Sequence, residues 1–270
     1  MSLTKTDKEI DSMRRGGALL SRALKAAVDA VTPEVTLREL DAIGERVIVE
    51  GGGIPSFKGY QPSPKDIPFP STICISVNEE VVHGLGNRDR KLMEGDIVGL
   101  DIGCWFEGLC TDMAVTVPVG NVTSEARKLM DVTKASLMVG IAAAKVGNEI
   151  ADISRAIEEY VKPHGYGIVR ALVGHGVGHQ VHEAPHVPNY VSDRYPKVVI
   201  EDKMCLALEP MLGLGGDYHV DTAQDGWSIV MSDGSLGAHF EVTIAITKEG
   251  GAEILTPLPV PSLRAQRSNL

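Results

Sequence analysis

Cysteine is scarce in this chain, which has four among its 270 residues. They stand at Cys74, Cys104, Cys110 and Cys205, and no two of them form a Cys-x-x-Cys pair. So few cysteines exclude a disulfide scaffold at this length. We therefore expect four reduced, buried thiols, as is typical of a cytoplasmic protein.

Long apolar runs are absent as well. No stretch of about 18 apolar residues occurs, so the sequence predicts no membrane span. Residues 1–8 lack the apolar region of a secretion signal. Acidic residues outnumber basic ones, 36 against 26, and the resulting net charge of −10 argues against a nucleic-acid partner. These absences together predict a cytoplasmic protein without a membrane or specific nucleic-acid partner.

The sequence does contain enough apolar residues, 43 %, for a large core. Apolar spacing and capping residues predict helices over 7–31, 36–51, 124–145 and 150–162. Strands are predicted over 72–77, 95–103, 109–117, 168–173, 204–208, 228–230 and 240–247, and the proline-rich segment 59–70 predicts a loop.

The order of these elements, two helices and then strands, occurs twice along the chain. It favours an α+β architecture of two similar halves, with one sheet system and helices outside it. We assign residues 1–256 to a single domain. Residues 257–270 are rich in proline and then polar, so we expect a flexible C-terminal tail.

Two aspartates lie in the predicted strands 95–103 and 109–117. A hairpin centred between Phe106 and Glu107 places Asp101 directly opposite Asp112, with Cβ atoms about 5 Å apart. Two like charges across a strand pair repel each other, and a cation between them would turn that repulsion into a binding site. The alternative is a bulged or solvated hairpin in which the two acids never meet.

Further candidate ligands are histidines and buried acids. The segment 174–182 contains His175, His179 and His182 beside three glycines, and glycine permits close backbone approach. Core or surface histidines without a function are the alternative for this segment. Glu209 ends an apolar strand and Glu241 lies within another, and buried acids need partners or ions. A salt bridge is the other possibility for each, but neither run supplies a local lysine or arginine.

The run 182–186, His-Glu-Ala-Pro-His, matches the zinc-protease signature H-E-x-x-H. That chemistry requires an α-helix, which places the two histidines on one face. Pro185 would disrupt such a helix, so we reject this interpretation. The glycines from 174 to 178 also lack the G-K-[ST] ending of a phosphate-binding loop.

The chain resembles the type I methionine aminopeptidases from about residue 8 to residue 256. The matching segments keep the family's order and spacing, and they cover residues 78–84, 101–112, 174–178, 182–183, 208–210, 225–227 and 240–241. The resemblance implies the pita-bread fold, with two pseudo-symmetric halves, a central curved antiparallel sheet system and helices outside. It also implies a catalytic domain that removes the initiator methionine from nascent proteins, preferentially when the next residue is small.

The resemblance also implies roles for individual residues. Its metal ligands match Asp101, Asp112, His175, Glu209 and Glu241, and the counterpart of Glu209 is often proposed to move the proton. Residues matching His83 and His182 contact the substrate in the family, and Tyr60, Cys74 and Trp227 fall at positions of its methionine pocket. Phe57 and Phe69 are further candidates for that pocket, while ordinary core packing is the alternative for Cys74.

The residue types agree with a centre of two divalent cations. Four carboxylates and one imidazole would supply one ion with too much negative charge, whereas two ions can share bridging carboxylates. Such ions polarise a carbonyl group and lower the pKa of water from ~15.7 towards ~7. The ligand types restrict the metal to Mn, Fe(II), Co or Zn.

Three features depart from the family's pattern. Leu172 stands where an aromatic residue or methionine is usual, and Val181 stands where the best-known members have phenylalanine. A valine at that position would widen the substrate pocket. The loop 61–69 is longer than usual and carries extra prolines.

Two other functions compete with this interpretation. The first is an Xaa-Pro aminopeptidase or dipeptidase of the same fold, although such enzymes usually carry an additional N-terminal domain. The second is a non-catalytic binding protein, which should lack one or more ligands, whereas all five are present. The implied role predicts that the partners are the N-termini of nascent polypeptides, with transient contact with the ribosome. We expect a monomer, because most members of the family are monomeric.

Overall fold

The computed structural model describes residues 3–249 and 251–259. It contains four α-helices, which are α1 (Asp7–Asp29), α2 (Leu37–Glu50), α3 (Ser124–Ala143) and α4 (Ile150–Val161), and a 3-10 turn over Lys162–His164. All four predicted helices are therefore confirmed, each ending one or two residues earlier than expected. Most of the predicted tail, residues 260–270, lies outside the described residues.

Capping boxes start the first two helices. The side chain of Thr6 accepts a hydrogen bond from the backbone of Glu9, and the Glu9 carboxylate accepts one from the backbone of Thr6. Thr36 and Glu39 repeat this arrangement at α2. Each box satisfies backbone N–H groups that the first turn of a helix leaves unpaired. The starts of both helices are thus explained by residues adjacent in sequence.

The chain also forms fifteen strands over the described residues. Their bounds are β1 (Ile54–Pro55), β2 (Ile73–Val77), β3 (Glu80–Val82), β4 (Ile97–Phe106), β5 (Leu109–Pro118), β6 (Gly167–Ile168), β7 (Gly174–Gly176), β8 (Glu183–Val187), β9 (Cys205–Leu208), β10 (Met211–Gly213), β11 (Val220–Thr222), β12 (Ile229–Met231), β13 (Gly237–His239), β14 (Glu241–Thr247) and β15 (Gly251–Ile254).

Nine of these strands form one antiparallel sheet, in the order β1-β4-β5-β14-β9-β7-β8, with β2 on β4 and β15 on β14. Two three-stranded sheets, β13-β10-β6 and β11-β12-β3, complete the strand structure. Helices α1 and α2 pack together and against the β4 side of the large sheet, while α3 and α4 pack together on the side of β9 and β13. The mixed α+β architecture with helices outside a sheet system is confirmed.

The core lies between the helices and the large sheet. Leu20 and Leu24 of α1 are fully buried there with Leu100 and Ile102 of β4. All four cysteines are buried and free, as expected. Among the residues that the structure describes, no helix has the length and apolar character needed to cross a membrane.

The β4–β5 hairpin differs from its predicted register. Phe106 pairs with Leu109, so the turn consists of Glu107 and Gly108, whose φ angles are 51° and 80°. A two-residue hairpin turn of this kind needs two residues with positive φ, and a central phenylalanine would be strained there. The centre of the turn therefore lies one residue further along the chain than the position that we predicted.

This shift changes the partners of both aspartates. Asp101 pairs with Ala114, and Asp112 pairs with Gly103, so the predicted direct pairing of the two acids is wrong. Because the shift moves the partner by two residues, the acids stay on the same face of the sheet as diagonal neighbours.

The predicted strand 168–173 is also wrong. Only Gly167–Ile168 is a strand there, and it pairs with β10, whereas β7 begins at Gly174 and pairs with β8 and β9 of the large sheet. The apolar run crosses from a small sheet to the large one, and Arg170 and Ala171 between them are exposed. A continuous strand cannot belong to both sheets, so the apolar pattern alone was misleading.

Candidate metal centre

Three acids meet at the middle of the large sheet, on adjacent strands. Asp101 on β4 and Glu241 on β14 pair with Ala114 of β5 from opposite sides. Asp112 lies two residues before Ala114 on the same strand, so its side chain points to the same face. Ala114 therefore lies between Asp101 and Glu241, on the face of the sheet that carries all three acids.

The second half of the chain adds His175 and Glu209. His175 on β7 pairs with Ala207 of β9, and Glu209 directly follows that strand. The His175 Nε2 atom lies 3.4 Å from Oε1 of Glu209. All five predicted metal ligands therefore lie together around one space, and neighbouring strands from both halves of the chain position them.

The Gly174–Gly176 strand explains why glycine flanks His175. A Cβ atom on Gly176 would collide with the carbonyl oxygen of Ala184 on β8. The absence of a side chain lets β8 approach closely, as the sequence suggested. This packing holds the imidazole against the sheet, where it is buried.

The tautomer of His175 follows from its contacts. Nδ1 lies 2.9 Å from the carbonyl oxygen of Gly176, which can only accept a hydrogen bond, so Nδ1 carries the proton. Burial, with a smaller effect of nearby His182, lowers the pKa of His175 to about 3. The ring is therefore neutral, and the lone pair on Nε2 is available as a metal ligand.

The four carboxylates are buried close together. Burial raises the pKa of Asp101 to about 7 and raises the pKa values of Asp112, Glu209 and Glu241 well above their usual range. Neighbouring carboxylates add to the shift in the last three, because like charges disfavour ionisation. Four such groups cannot all be ionised here without a compensating positive charge.

Several buried atoms at this place have no hydrogen-bond partner among the described residues. They are Oδ1 of Asp101, Oδ1 of Asp112, Oε1 of Glu241 and Nε2 of His239. Buried polar atoms are normally paired, so this cluster of unpaired ligand atoms fits divalent cations. The possible ligand atoms form two groups, and within each group they all lie within 4.8 Å of one another. The groups are Asp101–His239–Glu241 and Asp112–His175–Glu241.

His239 is the residue at this site that the sequence reasoning missed. It ends β13, two residues before Glu241, and it is 3 % exposed. Extended residues two apart share a face, so the position of Glu241 was a signal for its neighbour. Burial, with a smaller effect of nearby His83, lowers the pKa of His239 to about 3, so this ring is neutral as well.

A cavity of about 170 Å³ opens above the carboxylates. Its lining includes all of the predicted site residues, with Phe57, Phe69 and Pro62 from the segment after α2. A larger open cleft of about 650 Å³ lies beside α4, and within the described part of the chain it shares no lining residue with this cavity.

One wall of the cavity is apolar. Trp227 stacks edge-to-face on Phe69 with ring centroids 5.2 Å apart, and Phe57 and Cys74 are buried beside them. Cys74 pairs directly with Asp101 across β2 and β4. The apolar wall therefore begins beside the carboxylate cluster.

Two histidines, His83 and His182, also line the cavity. The Nδ1 atom of His182 lies 3.0 Å from the hydroxyl of Tyr60, and the ring packs edge-on against His175 with centroids 4.5 Å apart. His83 has a φ of 58°, a strained conformation for a residue other than glycine and one typical of functional sites. Burial lowers the pKa of both His83, to about 4, and His182, so both rings are neutral at pH 7.

Other residues singled out in the sequence lie elsewhere. His179 is exposed and pairs with Glu9 at 2.7 Å. The segment with the zinc-protease pattern forms strand β8 rather than a helix, and the exposed His186 contacts Tyr195, which confirms that the pattern is accidental. Among the described residues, neither Leu172 nor Val181 lines the cavity. Loop 61–69, in contrast, reaches it through Pro62 and Phe69.

Comparisons with known proteins agree with this site. The model of metallopeptidase family M24 matches residues 11–248. A methionine aminopeptidase of Clostridium acetobutylicum is 45% identical over 257 residues, which is 95% of this chain and 99% of that protein. The crystal structure of a methionine aminopeptidase from Thermotoga maritima has a TM-score of 0.88 and 39% identity, and the match covers 94% of this chain and 98% of that one.

A prolidase from Pyrococcus furiosus is also similar, with a TM-score of 0.76 but 23% identity, over 96% of this chain and 66% of the prolidase. That likeness shows the shared fold alone, and the predicted pita-bread fold is confirmed. The family match implies that the chain binds divalent metal. The chain belongs to metallopeptidase family M24, and its resemblance to the type I methionine aminopeptidases is confirmed.

Proposed function

We propose that this metallopeptidase removes the N-terminal methionine from new polypeptides by hydrolysing their first peptide bond. The observation that carries the proposal is the juxtaposition of an acidic, metal-compatible cluster with a small, apolar-walled cavity. The relatives reported above that match nearly the full length of both chains are methionine aminopeptidases. This similarity favours methionine removal over Xaa-Pro hydrolysis or non-catalytic binding.

Five residues would hold two divalent cations, and they are Asp101, Asp112, His175, Glu209 and Glu241. The proposal of two ions is supported by two groups of ligand atoms that share Glu241. When bound, the cations would polarise the scissile carbonyl group and lower the pKa of the attacking water.

Glu209 is our candidate for moving the proton. Its carboxylate lines the cavity, and Oε1 lies 3.4 Å from Nε2 of His175. An ionised carboxylate next to the attacking water can accept its proton and later donate it. Glu209 would accept a proton from the attacking water and deliver it to the leaving amine.

His182 is our candidate for stabilising the oxyanion. If the Tyr60 hydroxyl donates to Nδ1, the ring proton lies on Nε2, which can then donate a hydrogen bond into the cavity. His83 would contact the substrate backbone beyond the scissile bond. Burial lowers the pKa values of both rings, and a neutral imidazole still carries one N–H group that can donate.

The apolar wall would bind the methionine side chain. Phe57, Phe69 and Trp227 present aromatic faces and edges, and a thioether makes favourable contacts with aromatic rings. Tyr60 and Cys74 border the same space. A polar or charged side chain would lose its hydration there without a compensating partner.

Peptide hydrolysis after removal of bound metal tests this proposal. Metal-free protein should be inactive on Met-Ala-Ser, and adding Mn, Fe(II), Co or Zn separately should restore activity and identify the preferred ion. An Xaa-Pro peptide should remain uncut under each condition. Preferential cleavage of the Xaa-Pro peptide, or full activity without metal, would contradict the proposal.

The cellular setting is part of the same proposal. Methionine removal is a step of protein maturation, so we place the protein in the cytoplasm, acting on nascent chains as a monomer in transient contact with the ribosome. The four free, buried cysteines agree with a reducing compartment. Cofractionation with translating ribosomes tests the contact.

A further inference from the structure

His239 has a buried nitrogen atom that nothing in the preceding mechanism uses. The residue is 3 % exposed, and Nε2 has no hydrogen-bond partner among the residues described. That atom lies 3.8 Å from Oε2 of Glu209 and 3.8 Å from Oε2 of Glu241. Both distances exceed the reach of a hydrogen bond, so the imidazole does not simply orient either carboxylate.

The distances do suit two atoms that share one cation. Ligand atoms bound at roughly 2.0–2.2 Å from an ion are separated by about 3 Å at right angles and by no more than about 4.4 Å. The 3.8 Å separations fall in this range. The proposed ligand pair of His175 Nε2 and Glu209 Oε1 has a similar separation of 3.4 Å.

We propose that His239 is a sixth ligand of the metal centre, so that each of the two cations is bound by its own imidazole. The inference rests on the proposed dinuclear site. Asp101, His239 and Glu241 would hold one ion, while Asp112, His175 and Glu241 would hold the other. Glu209, whose oxygens lie within 4 Å of Nε2 of both His175 and His239, would complete the set of six. Glu241 belongs to both groups and would be shared by the two ions.

The backbone of His239 is held firmly, as a metal site requires. Its N–H donates a hydrogen bond to Oγ1 of Thr116 at 2.9 Å, and its carbonyl oxygen accepts one from the same hydroxyl at 2.9 Å. Thr116 lies on β5, the strand that carries Asp112. The imidazole is therefore attached to the same rigid sheet as the carboxylates.

The chemical consequence concerns the second ion. Without His239, the ion between Asp101 and Glu241 would have only oxygen ligands from the protein, a set that suits Mg and Mn. An imidazole nitrogen shifts preference towards Fe, Co and Zn. The proposal predicts that both sites bind these later metals tightly.

Replacement of the imidazole tests the assignment. Cobalt titration of metal-free His239→Gln, followed by calorimetry and visible absorption, should show one site unchanged and the other weakened by at least about 10-fold. His219→Gln is the matched control, since it removes an exposed imidazole that pairs with Asp217, and neither residue lines the described metal cavity. Two unchanged sites in His239→Gln would overturn the proposal.

A measurement on the wild-type protein covers the case in which the variant fails to fold. Protein labelled with ¹⁵N-histidine and loaded with two cobalt ions should show two strongly shifted imidazole N–H signals by NMR. A single such signal would overturn the role of His239 and leave the proposed function intact if the same sample cleaves Met-Ala-Ser. Wild-type protein that neither binds cobalt nor cleaves the peptide would overturn the proposed function as well.

Discussion

The hydroxyl of Tyr60 lies 3.0 Å from Nδ1 of His182, although 122 residues separate them in sequence. Tyr60 belongs to the segment between α2 and β2, and His182 directly precedes β8. This contact joins the two halves of the chain across the cavity. It also occupies Nδ1, so Nε2 is the ring nitrogen of His182 that remains available to a substrate.

We predict that His182→Ala lowers kcat on Met-Ala-Ser by about 100-fold or more, because the oxyanion loses a hydrogen-bond donor. Metal content should be unchanged, since His182 is not among the proposed ligands. Tyr60→Phe should have a smaller effect, on the order of 10-fold, because it removes only the group that orients the ring. His186→Ala, on an exposed side chain of β8, is the control and should retain kcat. Loss of metal from His182→Ala would show that this residue is a ligand.

The raised pKa values of the buried carboxylates predict how stability depends on pH when metal is removed. Their unfolded pKa values are near 4, and Asp101 titrates at about 7 in the folded state. A folded pKa above the unfolded one stabilises the protein fully at low pH, and that stability is lost as pH rises towards the folded value.

The buried histidines act in the opposite direction. The pKa values of His83, His175 and His239 fall from 6.5 to about 4 or about 3 on folding, so these groups increase stability as pH rises to about 6.5. Below that pH, the effect of the histidines on the free energy of unfolding opposes the effect of the carboxylates. Between pH 6.5 and pH 8.5, only the carboxylates of this cluster should still titrate.

We therefore predict that the free energy of unfolding in chelator decreases by about 1–3 kcal/mol from pH 6.5 to pH 8.5. Urea unfolding at three pH values measures it. With saturating Mn²⁺ the decrease should disappear, since bound cations keep the carboxylates ionised. Glu241→Gln removes one titrating group and should give a shallower slope in chelator. A flat profile for the metal-free wild type would contradict the prediction.

Gly176 supplies a prediction about packing. Gly176→Ala should lower the free energy of unfolding by about 1–3 kcal/mol, because the new Cβ collides with the carbonyl oxygen of Ala184. Displacement of β8 should also weaken metal binding through the adjacent His175. Gly99→Ala on β4 is the matched control, since its nearest neighbour lies at 3.6 Å, an ordinary contact. Urea unfolding should separate the two variants, and equal stability would disprove the steric argument.

Trp227 supplies a prediction about selectivity. Trp227→Leu should raise KM for Met-Ala-Ser by about 10-fold or more, because the methionine side chain loses an apolar, aromatic contact. The kcat/KM for Leu-Ala-Ser should decrease less, so the ratio of kcat/KM for Met-Ala-Ser to that for Leu-Ala-Ser should fall. Trp105 is the only other tryptophan and does not line the described cavity, so Trp105→Leu should keep the selectivity. An unchanged ratio of kcat/KM for the two peptides in Trp227→Leu would place the methionine pocket elsewhere.

The parts of the fold that depend on neighbouring residues were predictable. Thr6 and Thr36 cap helices through side chains three residues away, and all four helices were found at the expected places. Periodicity likewise located most of the longer strands. The prediction of a strand over 168–173 was wrong because this segment leads from one sheet to another, and a local apolar pattern does not indicate such a change.

The carboxylate cluster was predicted only in part from the sequence. Reasoning from the hairpin correctly put Asp101 and Asp112 on one face, but the register was off because the turn uses Glu107 and Gly108. His239 was overlooked even though it lies two residues before Glu241, because a single histidine in an apolar run has no distinctive spacing. Its unpaired Nε2 becomes visible only when Glu209 and Glu241 are placed around it.

The amino-acid sequence by itself determined the positions of the helices, the family and the identity of the acidic and imidazole groups, because these depend on residue chemistry and short-range spacing. Only the tertiary structure decided which of those groups share a space. Glu209 and Asp101 are more than a hundred residues apart, and they meet because β14 pairs with both β5 and β9. Contacts of that kind arise from strand pairing over long loops, which short-range sequence patterns do not encode.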